Sequence, residues 1–163
     1  MVDLIVRAPE RGHMSDEDYM REALGQAQAA SRRGEVPVGA VIVNARGEII
    51  ARASNAPIGI CDPTAHAEIL ALRDAAYASG NYRLGGLTLY VTLEPCTMCA
   101  GAISNARIAR VVYGAPDVKG GAVDNGVRFF EQASCHHKPQ VTGGVLAEDC
   151  ATLLKDFFKA RRK

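Results

Sequence analysis

No apolar run in this chain approaches the ~20 residues that a membrane-spanning helix needs. The first residues lack a signal-peptide layout, because Asp3, Arg7 and Arg11 interrupt any hydrophobic stretch there. An excess of one charge is missing as well. Nineteen basic residues face 18 acidic ones, for a net charge of +1, which excludes a basic nucleic-acid footprint over the whole protein. The cysteines do not form an even set: there are five, two of them spaced C-x-x-C. That argues against a secreted disulfide framework and for a reducing cytoplasm. Internal repeats and low-complexity tracts are also absent.

What is present suits one soluble domain. At 163 residues, with 48% apolar and 23% charged, the chain is long enough to bury a core. Residues 1–14 read as a flexible leader or tag, since Met14-Ser15 offers a second start; residues 15–163 read as the domain. The charge is unevenly spread. Lys155 to Lys163 holds five bases and one acid, leaving 14 bases and 17 acids elsewhere. A basic C-terminal end is therefore expected.

Ser15 followed by Asp16, Glu17 and Asp18 reads as a capped helix start, with acids where the helix dipole favours them. That helix is expected to close at Arg32, Arg33 and Gly34. Val36 to Val43 and Glu48 to Ala53 read as a β-hairpin. A second helix is expected from about Thr64 to Ser79. Leu87 to Leu93 has the near-continuous apolar character of a strand buried on both faces. Pro95 is expected to open a third helix, Arg110 to Tyr113 to form a strand ended by Gly114, and Asp124 to Gln132 to form a short helix. Gln140 to Thr142 reads as an edge strand. Ala147 to Arg162 reads as a last helix with Leu153, Leu154, Phe157 and Phe158 as its apolar face. Alternating strands and helices imply an α/β sandwich on a mixed sheet.

The chemistry concentrates between His66 and Cys99. One imidazole (His66), two thiols (Cys96 and Cys99) and one carboxylate (Glu68) stand in a H-x-E and P-C-x-x-C arrangement. Three such ligands satisfy a catalytic zinc ion and leave a fourth corner for water. C-x-x-C in the first turn of a helix lets both sulfurs reach one ion, and the helix N-terminus stabilises thiolates. Glu68, two residues past His66, is placed to move a proton to and from that water. Water attack with loss of a nitrogen is hydrolytic deamination. A closed site that adds Cys61, a redox C-x-x-C pair and an unmetallated core are the competing readings. The combination with H-x-E and Pro95 favours the first.

His66-Ala67-Glu68 with Pro95-Cys96-Thr97-Met98-Cys99 is the signature of zinc-dependent nucleoside and nucleobase deaminases. Gly34-Glu35-Val36-Pro37-Val38-Gly39, Asp62-Pro63-Thr64-Ala65-His66, Leu93-Glu94-Pro95-Cys96, Gly114-Ala115-Pro116-Asp117 and Asp156-Phe157-Phe158 extend the likeness. The chain from Ser15 to Lys163 resembles the bacterial tRNA-specific adenosine deaminase (TadA) family, within the cytidine/deoxycytidylate deaminase superfamily. The resemblance implies a three-layer sandwich with a mixed sheet of about five strands and helices on both faces. It implies adenosine-to-inosine conversion at the wobble position of a tRNA anticodon by a cytoplasmic homodimer. One Zn²⁺ per chain would be held by His66, Cys96 and Cys99, with Glu68 as proton shuttle. Asn55 would contact the nucleoside, Asp117 would lie near its ribose, Val36 and Pro37 would wall the base pocket, and Phe157 with the basic end would meet the anticodon stem-loop.

Gly121 to Arg128 departs from the family pattern, and Cys135-His136-His137 is unusual, although His137 matches a family histidine. A deaminase of free guanine, cytosine or adenosine is therefore the alternative, and a non-catalytic zinc-stabilised RNA-binding module a lesser one. Cys61, Cys135 and Cys150 read as bystanders.

Overall fold

The structure, a computed structural model, describes residues 14–162. The expected leader falls, but for Met14, outside the described residues. Helix α1 (Asp16–Arg32) is followed by strands β1 (Gly39–Val43) and β2 (Ile49–Ser54), helix α2 (Ala67–Ser79), strand β3 (Thr88–Leu93) and helix α3 (Thr97–Asn105). Strand β4 (Arg110–Ala115), strand β5 (Gln140–Thr142) and helix α4 (Ala147–Arg161) complete the chain. The sheet order is β2-β1-β3-β4-β5. β1 runs antiparallel to β2 and β3, whereas β3, β4 and β5 run parallel.

Period-two alternation assigns each strand residue to a layer. Ala40 and Ile42 of β1, Leu89 and Val91 of β3 and Val111 of β4 pack against α2 and α3, with Ala71, Leu72 and Ile103. Val41, Val43, Tyr90 and Val112 face the other way, toward Met20 and Ala23 of α1 and Cys150 of α4. The result is the expected three-layer sandwich. In doubly wound sheets of this kind, ligand sites form beyond the C-terminal ends of the parallel strands. The chain leaving β3 there is Glu94-Pro95-Cys96.

Several boundaries differ from the expectations, for physical reasons. Pro95 does not open α3; Cys96 is the N-cap residue, and Pro95 precedes it. Likewise α2 begins past Thr64, with His66 as its N-cap. Gly114 does not end β4 but lies within it, because a Cβ there would collide with Cys150 Sγ and sit 2.8 Å from Thr92 O. It is the glycine that lets α4 close on the sheet. Asp124 to Gln132 forms only a 3-10 turn at Phe129–Glu131, since Gly126 and Arg128 take left-handed backbone conformations that interrupt a right-handed helix. Among the described residues of α4 only Cys150 is buried, so its apolar face is half exposed and Phe158 is 43% accessible.

The start of α1 is tied to the sheet by charge. Ser15 caps it in a reciprocal box with Asp18. Asp16 then accepts two hydrogen bonds from the Arg110 guanidinium, at 2.8 and 2.7 Å, and one from Tyr90 Oη at 2.8 Å. Arg110 also donates to Thr142 Oγ1 of β5 at 3.0 Å. One carboxylate thus joins α1, β3, β4 and β5. The Arg110 hydrogen bonds hold the Asp16 carboxyl below the usual carboxylate range. A depressed folded-state pKa contributes stability that is present above the unfolded value of about 3.9 and is lost as pH falls through the folded value. Asp16→Asn is therefore expected to cost on the order of 1 kcal/mol at neutral pH, since the bonds are charge-assisted but partly solvated. Thermal unfolding of both proteins across pH checks this. The gap in Tm should narrow below about pH 4, and a gap that stays constant into strong acid would contradict the account.

Candidate active site and metal centre

Two helix N-termini meet at the C-terminal edge of β3. His66 and Cys96 are the N-cap residues of α2 and α3, both in extended backbone conformation, and neither side chain is used for capping. Both side chains are therefore free to turn toward the space between the helices, and Cys99 joins them from the first turn of α3. Asn55 Oδ1 takes over part of the capping work, accepting from Ala67 N at 3.0 Å. The three candidate ligand atoms lie within 4.8 Å of one another, the one such cluster of His, Cys, Asp or Glu among the described residues.

The distances suit zinc. Zn–S bonds of ~2.3 Å and Zn–N bonds of ~2.0–2.1 Å at a tetrahedral angle imply an S···N edge of about 3.6 Å. His66 Nδ1 lies 3.6 Å from Cys96 Sγ and 3.5 Å from Cys99 Sγ. Imidazole and thiolate are also the donors that borderline-soft divalent ions prefer. A hydrogen bond from Cys99, opposed by burial and aided by His66, holds the Cys96 thiol down at about 4. The same bond and burial push Cys99 upward. The hydrogen bond to Cys96 raises His66 against the effect of burial, and the Glu68 charge adds to it. One thiolate is thus already favoured here, and the helix N-termini reinforce it.

A cavity of about 270 Å³ opens beside this cluster. Its floor carries His66, Cys96 and Glu68, and its walls are Val36, Val38, Asn55, Leu93, Glu94, Asp117 and Gly120. That volume is near the lower end of the roughly 300–1,000 Å³ typical of ligand pockets. Of the three carboxylates that line it, Glu68 and Glu94 lie in opposite environments. Glu68 is 4% exposed, and burial raises its pKa, with the thiolate of Cys96 adding to the effect. Burial also acts upward on Glu94, but N–H donors from Asp117, Val123 and Asn125 outweigh it and hold its pKa down. One carboxyl is therefore poised to hold a proton and the other to stay ionised.

Most expected site residues converge on this cavity. His66, Cys96, Glu68, Asn55, Asp117 and Val36 line it, and Cys99 is buried beneath it. Pro37 does not; it is fully buried, and Val38 takes the place on the wall. Phe157 lies elsewhere, in a groove with Ser31, Leu153 and Arg161. Its ring is covered by the Arg161 guanidinium, 4.2 Å from the centroid, while Arg161 also donates to Gly34 O at 3.1 Å. Cys61 is exposed and outside the metal cluster. The Cys135-His136-His137 run does not gather, because Cys135 Sγ bonds the His137 carbonyl and His137 Nε2 meets Ile108 O at 2.8 Å. A separate groove of about 330 Å³ runs between α2 and α3, past Ile69, Arg73, Tyr82 and Asn105. It holds no group of the metal cluster.

Glu94, Val38, Leu93 and Gly120 are the lining residues that sequence reasoning missed. Glu94 left one signal. A carboxylate between a buried strand and a proline, where acids are seldom buried without partners, has to be satisfied by something.

Residues 13–115 match the family model described as the cytidine and deoxycytidylate deaminase zinc-binding region. A protein of Agrobacterium fabrum named tRNA-specific adenosine deaminase is 54% identical over 144 residues, covering 88% of this chain and 94% of its own length. A protein of the same name from Haemophilus influenzae is 53% identical over 148 residues, covering 91% and 86%. A solved structure from work on A-to-I editing by tRNA:A34 deaminases at the wobble position of transfer RNA superposes with a TM-score of 0.82 at 54% identity. It covers 83% of this chain and 98% of the other. The extended match to the metal cluster and to the whole fold leaves one assignment: the chain belongs to the zinc-binding cytidine and deoxycytidylate deaminase family, among the relatives named tRNA-specific adenosine deaminases.

Proposed function

We propose that this chain is a hydrolytic zinc-dependent deaminase that converts adenosine to inosine at the wobble position of a tRNA anticodon. The observation that carries the reading is the S and N triangle of His66, Cys96 and Cys99, at the edge lengths of a zinc tetrahedron, with buried Glu68 beside it. The substrate rests on the relatives' names at 54% and 53% identity. His66, Cys96 and Cys99 are proposed to hold one zinc ion per chain. When bound, the ion would supply Lewis acidity that brings a water's pKa toward neutrality.

The chain's own residues would do the rest. Glu68 takes a proton from the attacking water and delivers it toward the nitrogen that departs as ammonia. Oxygen first adds to C6 while N1 gains a proton; the exocyclic C6–N6 bond then breaks as the new hydroxyl gives up its proton and becomes the carbonyl of inosine. A carboxyl whose pKa burial has raised can hold the proton between the two transfers. Asn55 lines the cavity with its Oδ1 engaged by Ala67 N, and its amide nitrogen is proposed to donate to the base. Asp117 accepts from Lys119 N and Gly120 N through Oδ1, and its second oxygen is proposed to meet the ribose. Val36, with Val38, would wall the base.

Unstacked anticodon bases are what proteins read by insertion into pockets. The basic end of α4 would neutralise phosphates of the stem-loop, with the more exposed Phe158 rather than Phe157 offering a ring face. A homodimer is proposed from the resemblance to the tRNA-specific adenosine deaminases, and a cytoplasmic setting from the tRNA substrate.

The deciding assay offers an anticodon stem-loop with A at the wobble position alongside free adenosine, cytosine and guanine. Only the first should be turned over efficiently, and preferential turnover of a free base would favour the other deaminase reading. Glu68→Ala should lower kcat by roughly 10²–10⁴ while metal analysis still finds one zinc per chain. Cys99→Ser should lose zinc and stability together, because site formation is coupled to folding; full metallation of the Cys99→Ser variant would remove Cys99 from the ligand set. Lys159→Ala with Arg162→Ala should weaken stem-loop binding and flatten its salt dependence by about 0.7 per lost phosphate contact. Isothermal binding at two ionic strengths measures that slope.

A further inference from the structure

Residues 117–125 bring Asp117 and Gly120 to the wall of the cavity, yet they contain no helix or strand. One side chain accepts five of the hydrogen bonds that order them. Glu94 Oε1 accepts from Asp117 N at 3.0 Å and from Asn125 Nδ2 at 2.7 Å. Glu94 Oε2 accepts from Val123 N at 3.1 Å, Asp124 N at 3.0 Å and Asn125 N at 3.1 Å. Glu94 is 2% exposed, so five donors fill both oxygens where water is scarce, and neither oxygen is left to move protons. Gly121 passes so close that a Cβ would stand 2.6 Å from Oε2. A second tie reaches the same loop from β4, where Tyr113 Oη donates to Asp124.

We propose that Glu94 is a positioning residue for substrate: by gathering the backbone of residues 117–125 it holds Asp117 against the cavity as the wall that meets the nucleoside. Asn125, in the stretch that departs from the family pattern, is the side chain of this chain that completes the clamp. The inference rests on the deaminase reading for its effect on turnover, but not for its effect on the loop.

Glu94→Gln is the informative change. Its oxygen can keep the three amides now on Oε2, but its NH₂ group then faces Asp117 N–H and Asn125 Nδ2, donor against donor. KM for the stem-loop should rise about tenfold, the scale of losing one charge-assisted hydrogen bond. kcat should stay within about threefold and zinc content should be unchanged, because the wall and not the reacting groups has moved. Asn125→Ala, which removes one donor and no acceptor, should raise KM about threefold by the same logic. Hydrogen exchange at the amide of Asp117 should quicken in both variants. Unchanged exchange there overturns the proposal. So does a loss confined to kcat, or loss of zinc from Glu94→Gln. If Glu94→Gln does not fold, Asn125→Ala decides alone, and an unaltered KM with unaltered exchange overturns it. A wild-type protein that ignores the stem-loop would sink the substrate reading, while the exchange data would still judge the clamp.

Discussion

Three donor atoms held 3.5 and 3.6 Å apart across the Sγ···Nδ1 edges are the constraint on which the rest depends. Thirty residues separate His66 from Cys96, so no local turn can bring them together. What does is the sheet. β1 pairs with β3 in one register and β3 with β4 in another, and α2 and α3 pack on one face of it. That arrangement delivers two helix N-termini to the same edge. Each presents backbone N–H groups and a favourable dipole to negative sulfur. The stability of the sandwich and the geometry of the centre are therefore one problem. Displacing α2 or α3 by the width of a side chain would break the tetrahedral edge before it unfolded the core.

The same edge explains why capping is shared out. A helix start needs its first amides satisfied, and Ser, Thr, Asp or Asn usually does so locally. α1 follows the rule with Ser15. α2 and α3 cannot, because their N-cap side chains face the centre. Asn55 serves Ala67 N from a distant loop, which fixes Asn55 in the cavity wall as a by-product. A residue proposed to bind substrate is thus held in place by the helix that carries His66.

Much of the site was legible in the sequence because its chemistry is local. H-x-E sets His66 beside Glu68 and C-x-x-C sets Cys96 beside Cys99, and residue type alone states what each pair is suited to do, although only the fold brings the two pairs together. The strands were legible from near-continuous apolar runs such as Leu87 to Leu93. Long-range satisfaction was not. Gly114 reads as a terminator until Cys150 is seen against it. The stretch before Phe129 shows no partner until Glu94 is found accepting from the amides of Val123, Asp124 and Asn125. In each case the deciding partner stands elsewhere in the chain and carries no mark of its role, so neither composition nor periodicity could supply it.

Glu68 and Glu94 show how far residue identity falls short of role. Both are glutamates, both are almost fully buried, and both line the cavity. Burial acts on each in the same direction, so burial cannot tell them apart. The donors do. With N–H groups on both oxygens, Glu94 is held as an anion and is chemically quiet, fit to hold a loop. Glu68 lacks such a set, its charged form is disfavoured by burial first of all, and a proton on it is correspondingly well kept. Exchanging the two environments would leave the composition of the cavity unchanged and remove both functions. The division between acid–base chemistry and substrate placement therefore rests on where the backbone amides of residues 117–125 point. On the proposed reading, the departing stretch helps to order the wall, while the candidate metal ligands stand at the two helix N-termini.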